Sequence, residues 1–381
     1  MSTTSARRPM ARNYGSVKQE TDSKLAVLRA WLDRRGLAGT ALTSPAAVAW
    51  LTAGITNAID RTAPASPLWL VVTPDRVVAI TTAVERPRLA AEAGLDELGF
   101  RLEDVPWYEP EAFSRVAEEV AGVPWEELRP DEDDLTAMRL QLLPAEQERL
   151  AALGSDVARA LEHAVSSWRP GERDLDAQAR LVEGLERAGA MPVCIIVGGD
   201  ERVKRFRHPL AVGARIERLL MAVVVAMRGG LHAAATRLAC AGEMPPELQA
   251  AFAAALQVEA AMLDAHRPGA TYGGVMLACA EAYAASGHPG AWEEHYQGGP
   301  IGYRQREFEP APSQRDSRWF AQPIEIGHAV AWNPSVIGGG KIEDTFLVEE
   351  DGLRCVTETG SWPQVQAAGA RPRSGILEIA P

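Results

Sequence analysis

RIERLLMAVVVAMRGGLHAAATRLACAGE, residues 215–243, decides how the rest of the chain is read. Two apolar runs, MAVVVAM and LHAAATRLAC, flank a Gly-Gly pair, which is the pattern of a buried β-hairpin. Toward the N-terminus, MPVCIIVGG (191–199) adds another buried strand. Two helices precede it: the long amphipathic PAEQERLAALGSDVARALEHAVSSW (144–168), then RPGERDLDAQARLVEGLERAGA (169–190), which opens on a Pro-Gly turn. Toward the C-terminus, residues 245–287 hold two more helices around a second Pro-Gly turn. The end is strand-rich, in HAVAWNPSV (328–336) and KIEDTFLVEEDGLRCVTETG (341–360). Two helix–Pro-Gly–helix units, each followed by strands, hint at an internal duplication (RPGERDLDAQA against RPGATYGGVML).

The N-terminal third has a different order. DSKLAVLRAWLDRRGL (22–37) has helical spacing and ends at Gly36. ALTSPAAVAWLTAG follows. Then PLWLVVTPDRVVAITTAVE (67–85) reads as a hairpin around a Pro-Asp turn, and ERPRLAAEAG opens another helix. An α/β domain over 21–135 is expected, with the boundary in the acidic RPDEDDLTAMR and a second domain over 136–381. Residues 1–20 are polar and read as a flexible arm. They lack the apolar stretch of a signal peptide, so a cytoplasmic location is expected.

Composition narrows the partners. The chain has 381 residues, a length that favours two domains. Lys and Arg number 39 against 51 Asp and Glu, a formal charge of −12. Neither a nucleic acid nor an anionic membrane surface is an expected partner for such a chain. No run of 18 apolar residues suggests a membrane span. Cys194, Cys240, Cys279 and Cys355 form no CxxC pair and read as reduced thiols, three of them in apolar or small-residue runs. No nucleotide or flavin motif is present, and no cofactor is expected.

The C-terminal layout resembles the pita-bread family of methionine aminopeptidase, aminopeptidase P, prolidase and creatinase. The matching pieces run in order: LLPAEQERLAALGSDVARALEHA, RPGERDLDAQA, the strand ending IIVGG, RHP at 207–209, GGLHAAATR, RPGATYGGVM, GGPIGY at 298–303, AWNP at 331–334 and KIEDTFLVEEDG. SPAAVAWLTAG with the hairpin after it resembles the creatinase/prolidase N-terminal domain. The resemblance implies an α/β (α+β) chain: a pita-bread domain preceded by a smaller α/β domain.

Metalloenzymes of that family hold two metal ions with two Asp, one His and two Glu. By the resemblance those positions here are Val223, Ala234, Gly299, Asn333 and Glu343. Val, Ala and Gly offer no donor, and one Glu with one Asn cannot hold a catalytic metal pair. The resemblance therefore implies a metal-free member. Creatinase is the precedent, with a His before Pro serving as general acid and base; here that residue is His208 in RFRHP. Creatinase also uses two glutamates, and Thr236 and Asn333 stand at those positions. That departure counts against creatine itself.

The expected catalytic set is His208, Glu343 and Asn333. Glu343 would orient water or hold a cationic nitrogen, and Asn333 and Gln297 would supply neutral hydrogen bonds. The expected substrate-binding set is Arg61, Arg207, His232, Arg237, His295, Gln297, Tyr303 and Asp344. Each also has a structural reading. In that reading the loop around GGPIGY needs glycine for a tight turn, and Glu343 or Asp344 pairs with Arg237. The expected reaction is hydrolysis of a C–N bond in a small amino-acid-like molecule, or a related elimination. A homodimer, with the partner's N-terminal domain and Arg61 near the site, is implied by the resemblance. The alternatives are a peptide-binding pseudo-peptidase and an Xaa-Pro-type aminopeptidase with displaced metal ligands.

Overall fold

The computed structural model describes residues 14–56 and 59–380, which form two compact units divided between residues 138 and 139. The arm expected over residues 1–20 lies outside the described residues as far as residue 13. From there the chain is already helical, because α1 runs Tyr14–Arg35.

In the first unit β1 (Thr40–Leu42) leads into α2 (Pro45–Leu51), β2 (Trp69–Val72), β3 (Val77–Thr82), α3 (Arg86–Glu92), β4 (Arg101–Val105), α4 (Ala112–Ala121), α5 (Trp125–Leu128) and α6 (Glu132–Leu140), the last two residues of which belong to the second unit. The strands make one sheet in the order β1-β2-β3-β4, antiparallel except for the β3–β4 pair. Ser44 caps α2, its Oγ accepting from Ala47 N at 3.2 Å, with Pro45 preset for the first turn. The expected hairpin is β2–β3. Thr73 and Asp75 close its turn through a 2.7 Å bond. Trp69 stacks on Trp125 at 5.0 Å, sealing a core of Val71, Val78, Ile80 and Leu128.

The second unit carries the chemistry. Its elements are α7 (Pro144–Ser166), α8 (Asp174–Arg187), β5 (Met191–Gly199), α9 (Asp200–Arg205), β6 (Leu219–Arg228), β7 (Leu231–Ala241), α10 (Pro246–Ala265), α11 (Tyr272–Ala285), β8 (Gly298–Pro300), β9 (Ala329–Trp332), β10 (Ser335–Val336), β11 (Gly340–Lys341), β12 (Asp344–Glu349), β13 (Gly352–Cys355), β14 (Gln364–Val365), β15 (Arg373–Ser374) and β16 (Ile376–Ile379). One sheet has the order β16-β7-β6-β5 and another β13-β12-β9-β8. The expected hairpin is β6–β7. Gly229 and Gly230 turn it with φ of 58° and 81°, a backbone that suits two glycines. β7 is buried along its whole length, and β12 along all but its last residue. Both therefore read as apolar runs rather than alternating strands. Helices α10 and α11 cover a core that includes Met221, Leu238, Phe252, Trp332 and Phe346.

Candidate functional site

Local chemistry fixes the loop that carries His208. After β5, Asp200 takes a positive φ of 51°, and its carboxylate accepts from the backbone N–H of Glu217, Arg218 and Leu219 at 2.7–2.8 Å. Arg202 donates to Leu210 O at 2.7 Å. Pro209 packs onto Gly198, where a Cβ would come within 2.7 Å of it. The loop is thus pinned on both sides of His208. The His208 ring reaches the rim of the site, 5.1 Å from the ring of His295.

His295 is buried, and its Nε2 lies 3.2 Å from Lys341 Nζ. The ammonium has no acceptor of its own, so it donates and His295 accepts as a neutral imidazole. Burial first, then Lys341, push the His295 pKa far below the ordinary histidine value. His295 Nδ1 is buried without a hydrogen-bond partner. His208 is shifted the same way, by partial desolvation and then by Lys341, with Glu343 opposing.

Glu343 is buried, with Thr236 Oγ1 donating to Oε2 at 3.1 Å and Arg306 Nη2 donating to Oε1 at 2.9 Å. Lys341 precedes it by two residues in extended chain, so both face the same space. Burial lowers the Lys341 pKa to about 8; Glu343 opposes the shift, while Arg306 and Arg207 add to it. Asn333 lies one step beyond the Asp344–Trp332 pair of β12 and β9, across from Glu343, and its Oδ1 has no partner. Arg207 donates to Ser335 O and, at 2.9 Å, to Glu294. A cleft of about 480 Å³ opens beside His295, lined also by Trp292, Glu293, Tyr296 and Glu309.

The structure brings together His208, His295, Glu343, Asn333 and Arg207. Four other expected residues spend their hydrogen bonds within the protein. Arg237 faces away from Glu343 and is saturated by Asp344 at 2.9 Å, Glu162 at 3.3 Å and two backbone carbonyls. Asp344 is consumed by Arg237, Arg373 and Thr357. The Tyr303 hydroxyl donates to Glu146 at 2.6 Å, at the start of α7. Gln297 lines the cleft and also braces its own loop, donating to Trp292 O and His295 O while its Oε1 lies 3.2 Å from the Tyr283 hydroxyl. His232 is buried with Nδ1 3.1 Å from Gly302 O, and burial lowers its pKa to about 4. Arg61 is exposed and belongs to the first unit.

Lys341 and Arg306 are absent from the expected set. Lys341 had a readable signal, the two-residue spacing from Glu343 in an extended segment. Arg306, 37 positions from Glu343, had none.

A metal pair does not fit this centre. Val223, Ala234 and Gly299 supply no donor atom, and both Glu343 oxygens are already bonded to Thr236 and Arg306. The Lys341 ammonium adds like charge at the same place. Among the described residues, no group of three or more His, Cys, Asp or Glu side chains is placed to hold a metal ion.

A small α/β unit followed by a pita-bread unit defines the class: the fold of prolidases and proline-specific aminopeptidases. Residues 148–350, more than half of the chain, match metallopeptidase family M24, and the chain belongs to that family. Similar solved structures include the dipeptidase PepE from Mycobacterium ulcerans, with 19% identity over 95% of this chain and 99% of that one and a TM-score of 0.71. The prolidase from Pyrococcus furiosus is 18% identical over 87% and 99%, TM-score 0.70. The X-Pro aminopeptidase from Thermotoga maritima MSB8 is 17% identical over 93% and 99%, TM-score 0.69. At these identities the likeness shows the fold. No curated protein matches the chain in sequence. Among the described residues no helix is long and apolar enough to cross a membrane.

Proposed function

We propose that this M24 member hydrolyses a C–N bond of a small amino-acid-like substrate without a metal ion, with His208 as general acid and base. The observation that carries the reading is the donor set. The positions that match the family's ligands keep one carboxylate, Glu343, and cations surround it. A titratable imidazole stands at the rim of that space.

In this reading water attacks the carbon of the C–N bond and its proton passes to His208. The bond to nitrogen then breaks, and His208 returns the proton to the leaving nitrogen. The depressed pKa keeps His208 neutral, the form that accepts a proton, at neutral pH. Glu343 orients the water or a substrate N–H, and Asn333 offers its unpartnered Oδ1. The active species is proposed to be a homodimer, with the partner's N-terminal unit and its Arg61 near the site, as in creatinase-like enzymes. Sizing at micromolar concentration should then give about twice 41.0 kDa.

The deciding experiment is an untargeted metabolite incubation with wild type and His208→Ala in parallel, each with and without chelator. A metabolite consumed by wild type, spared by the variant and indifferent to chelator supports the reading. Consumption lost to chelator, with stoichiometric transition metal in fresh protein, overturns it.

A further inference from the structure

Each buried cation but one has a carboxylate in direct contact. Lys24 bonds Glu20 at 2.7 Å, Arg139 pairs with Glu307 at 3.2 Å, Arg237 with Asp344 at 2.9 Å and Arg373 with Glu259 at 2.6 Å. Lys341 is the exception among the described residues. It is 2% exposed, and its one hydrogen-bond partner is the neutral ring of His295. The nearby carboxylate of Glu343 is bonded to Thr236 and Arg306 instead. An ammonium has three donors, so two of these remain available in a dry space. Burying such a charge is costly unless it is paired.

The chain places that charge firmly. Gly340 approaches α10 so closely that a Cβ would come within 2.1 Å of Ala251 O. Only glycine lets β11 lie there and carry Lys341 inward. The surroundings are cationic as well. Lys341 and Arg306 face one buried carboxylate, Glu343, while Arg207 pairs with Glu294 at the exposed rim, where Glu309 also lies.

We propose that Lys341 and Arg306 form a buried site for an anionic oxygen of the substrate, of the carboxylate class, at the place where the family's ligand positions have lost their metal donors. The inference rests on the functional reading above for the moment at which the anion arises. Either a substrate carboxylate docks on Lys341, or the electron pair displaced by attacking water settles on an oxygen facing it. Fixed donors aimed at developing negative charge do electrostatic work in a dry site. His295 positions the ammonium by accepting one of its protons.

The site can be tested without turnover. The probe is acetate, with acetamide as its neutral isostere, at constant ionic strength. The readout is the ring resonances of His208 and His295 in 15N-histidine-labelled full-length protein, together with the unfolding midpoint. Acetate should move both resonances saturably and acetamide should not. Lys341→Met should bind acetate at least about tenfold more weakly while keeping or raising the unfolding midpoint. Arg306→Gln, at a partly exposed residue, should weaken acetate at least about threefold. Acetate binding within twofold of wild type in Lys341→Met overturns the proposal, as does an equal response to acetamide. A Lys341→Met protein that fails to fold also counts against it, because the ammonium would then serve the fold. Acetate binding without any metabolite consumed would sink the hydrolytic reading and leave this site standing. Metabolite consumption retained in Lys341→Met would do the reverse.

Discussion

Glu343 and Asp344 are adjacent carboxylates, both buried, yet they live in opposite kinds of surroundings. Asp344 belongs to a closed network: Arg237 at 2.9 Å, Arg373 at 3.0 Å and Thr357 at 2.7 Å, with Arg373 also held by Glu259. Every charge there has its counterpart. Glu343 shares its space with Lys341, His295, the rim residue His208 and Asn333, where His295 Nδ1 and Asn333 Oδ1 lack partners and positive charge is in excess. A satisfied buried network holds a fold together. An under-satisfied one with misfit charge is where a ligand completes the structure.

The sharpest way to break this contrast is at the rim of the open side. His208→Ala should lower kcat on the true substrate by about 10²–10⁴-fold with the fold intact, and His208→Asn should do the same, because an amide cannot shuttle a proton. Retention of more than about a third of wild-type kcat in steady-state assays would remove His208 from its role.

On the closed side the effect should fall on stability. Asp344→Asn removes the carboxylate that Arg237 and Arg373 share, leaving Glu162 and Glu259 as their partners, and denaturant unfolding should show a loss of about 1–3 kcal/mol. Glu343→Gln should reverse the balance, with activity lost and the unfolding midpoint little changed. Equal destabilisation by the two variants would erase the distinction between the faces.

The pH profile probes the same contrast more gently. His208 is faced by His295, Lys341, Glu343 and Arg207, and its pKa lies below the ordinary 6.5. On the acid side activity should therefore hold until pH drops below about 6.5, where the neutral base is lost. Lys341→Met removes a cation that lowers this pKa, so in whatever activity remains the acid limb should move upward. A limb that stays in place uncouples the two residues.

The smallest effect concerns Lys341 and stability. Its folded pKa of about 8 lies below the unfolded value near 10.4. Between those values the unfolded chain binds more protons, so wild-type stability rises with pH there. Lys341→Met should be the more stable protein at pH 7, and calorimetry should show the gap narrowing as pH rises from about 8 toward 10. A gap that does not vary with pH would mean that the ammonium is not strained by burial.

Much of the fold was legible because it is written in long periodic segments. The β6–β7 hairpin, the Pro-Gly helix starts and the N-terminal hairpin each follow from local apolar spacing and turn chemistry. The site was legible in part. His208, His295, Glu343, Asn333 and Arg207 were expected and do come together. Arg237, Asp344 and Tyr303 were expected with them and are bonded within the protein, whereas Gln297 lines the cleft while bracing its own loop. That Arg237 and Asp344 bond each other rather than Glu343 was not legible, for one cause. β7 is buried throughout and β12 nearly so, hence no polar–apolar alternation tells which residues point to which side.

The sequence by itself determined the order of elements and the absence of side-chain donors at Val223, Ala234 and Gly299, the positions that the resemblance matches to metal ligands, because periodicity and side-chain chemistry are local properties. Only the tertiary structure decided that Thr236 joins Glu343 while Arg237 joins Asp344, and that Arg306 and Lys341 converge on one carboxylate. Those facts depend on strand pairing across 107 residues and on the path of a loop, and both are set by how the sheets and helices pack rather than by any neighbour in the chain.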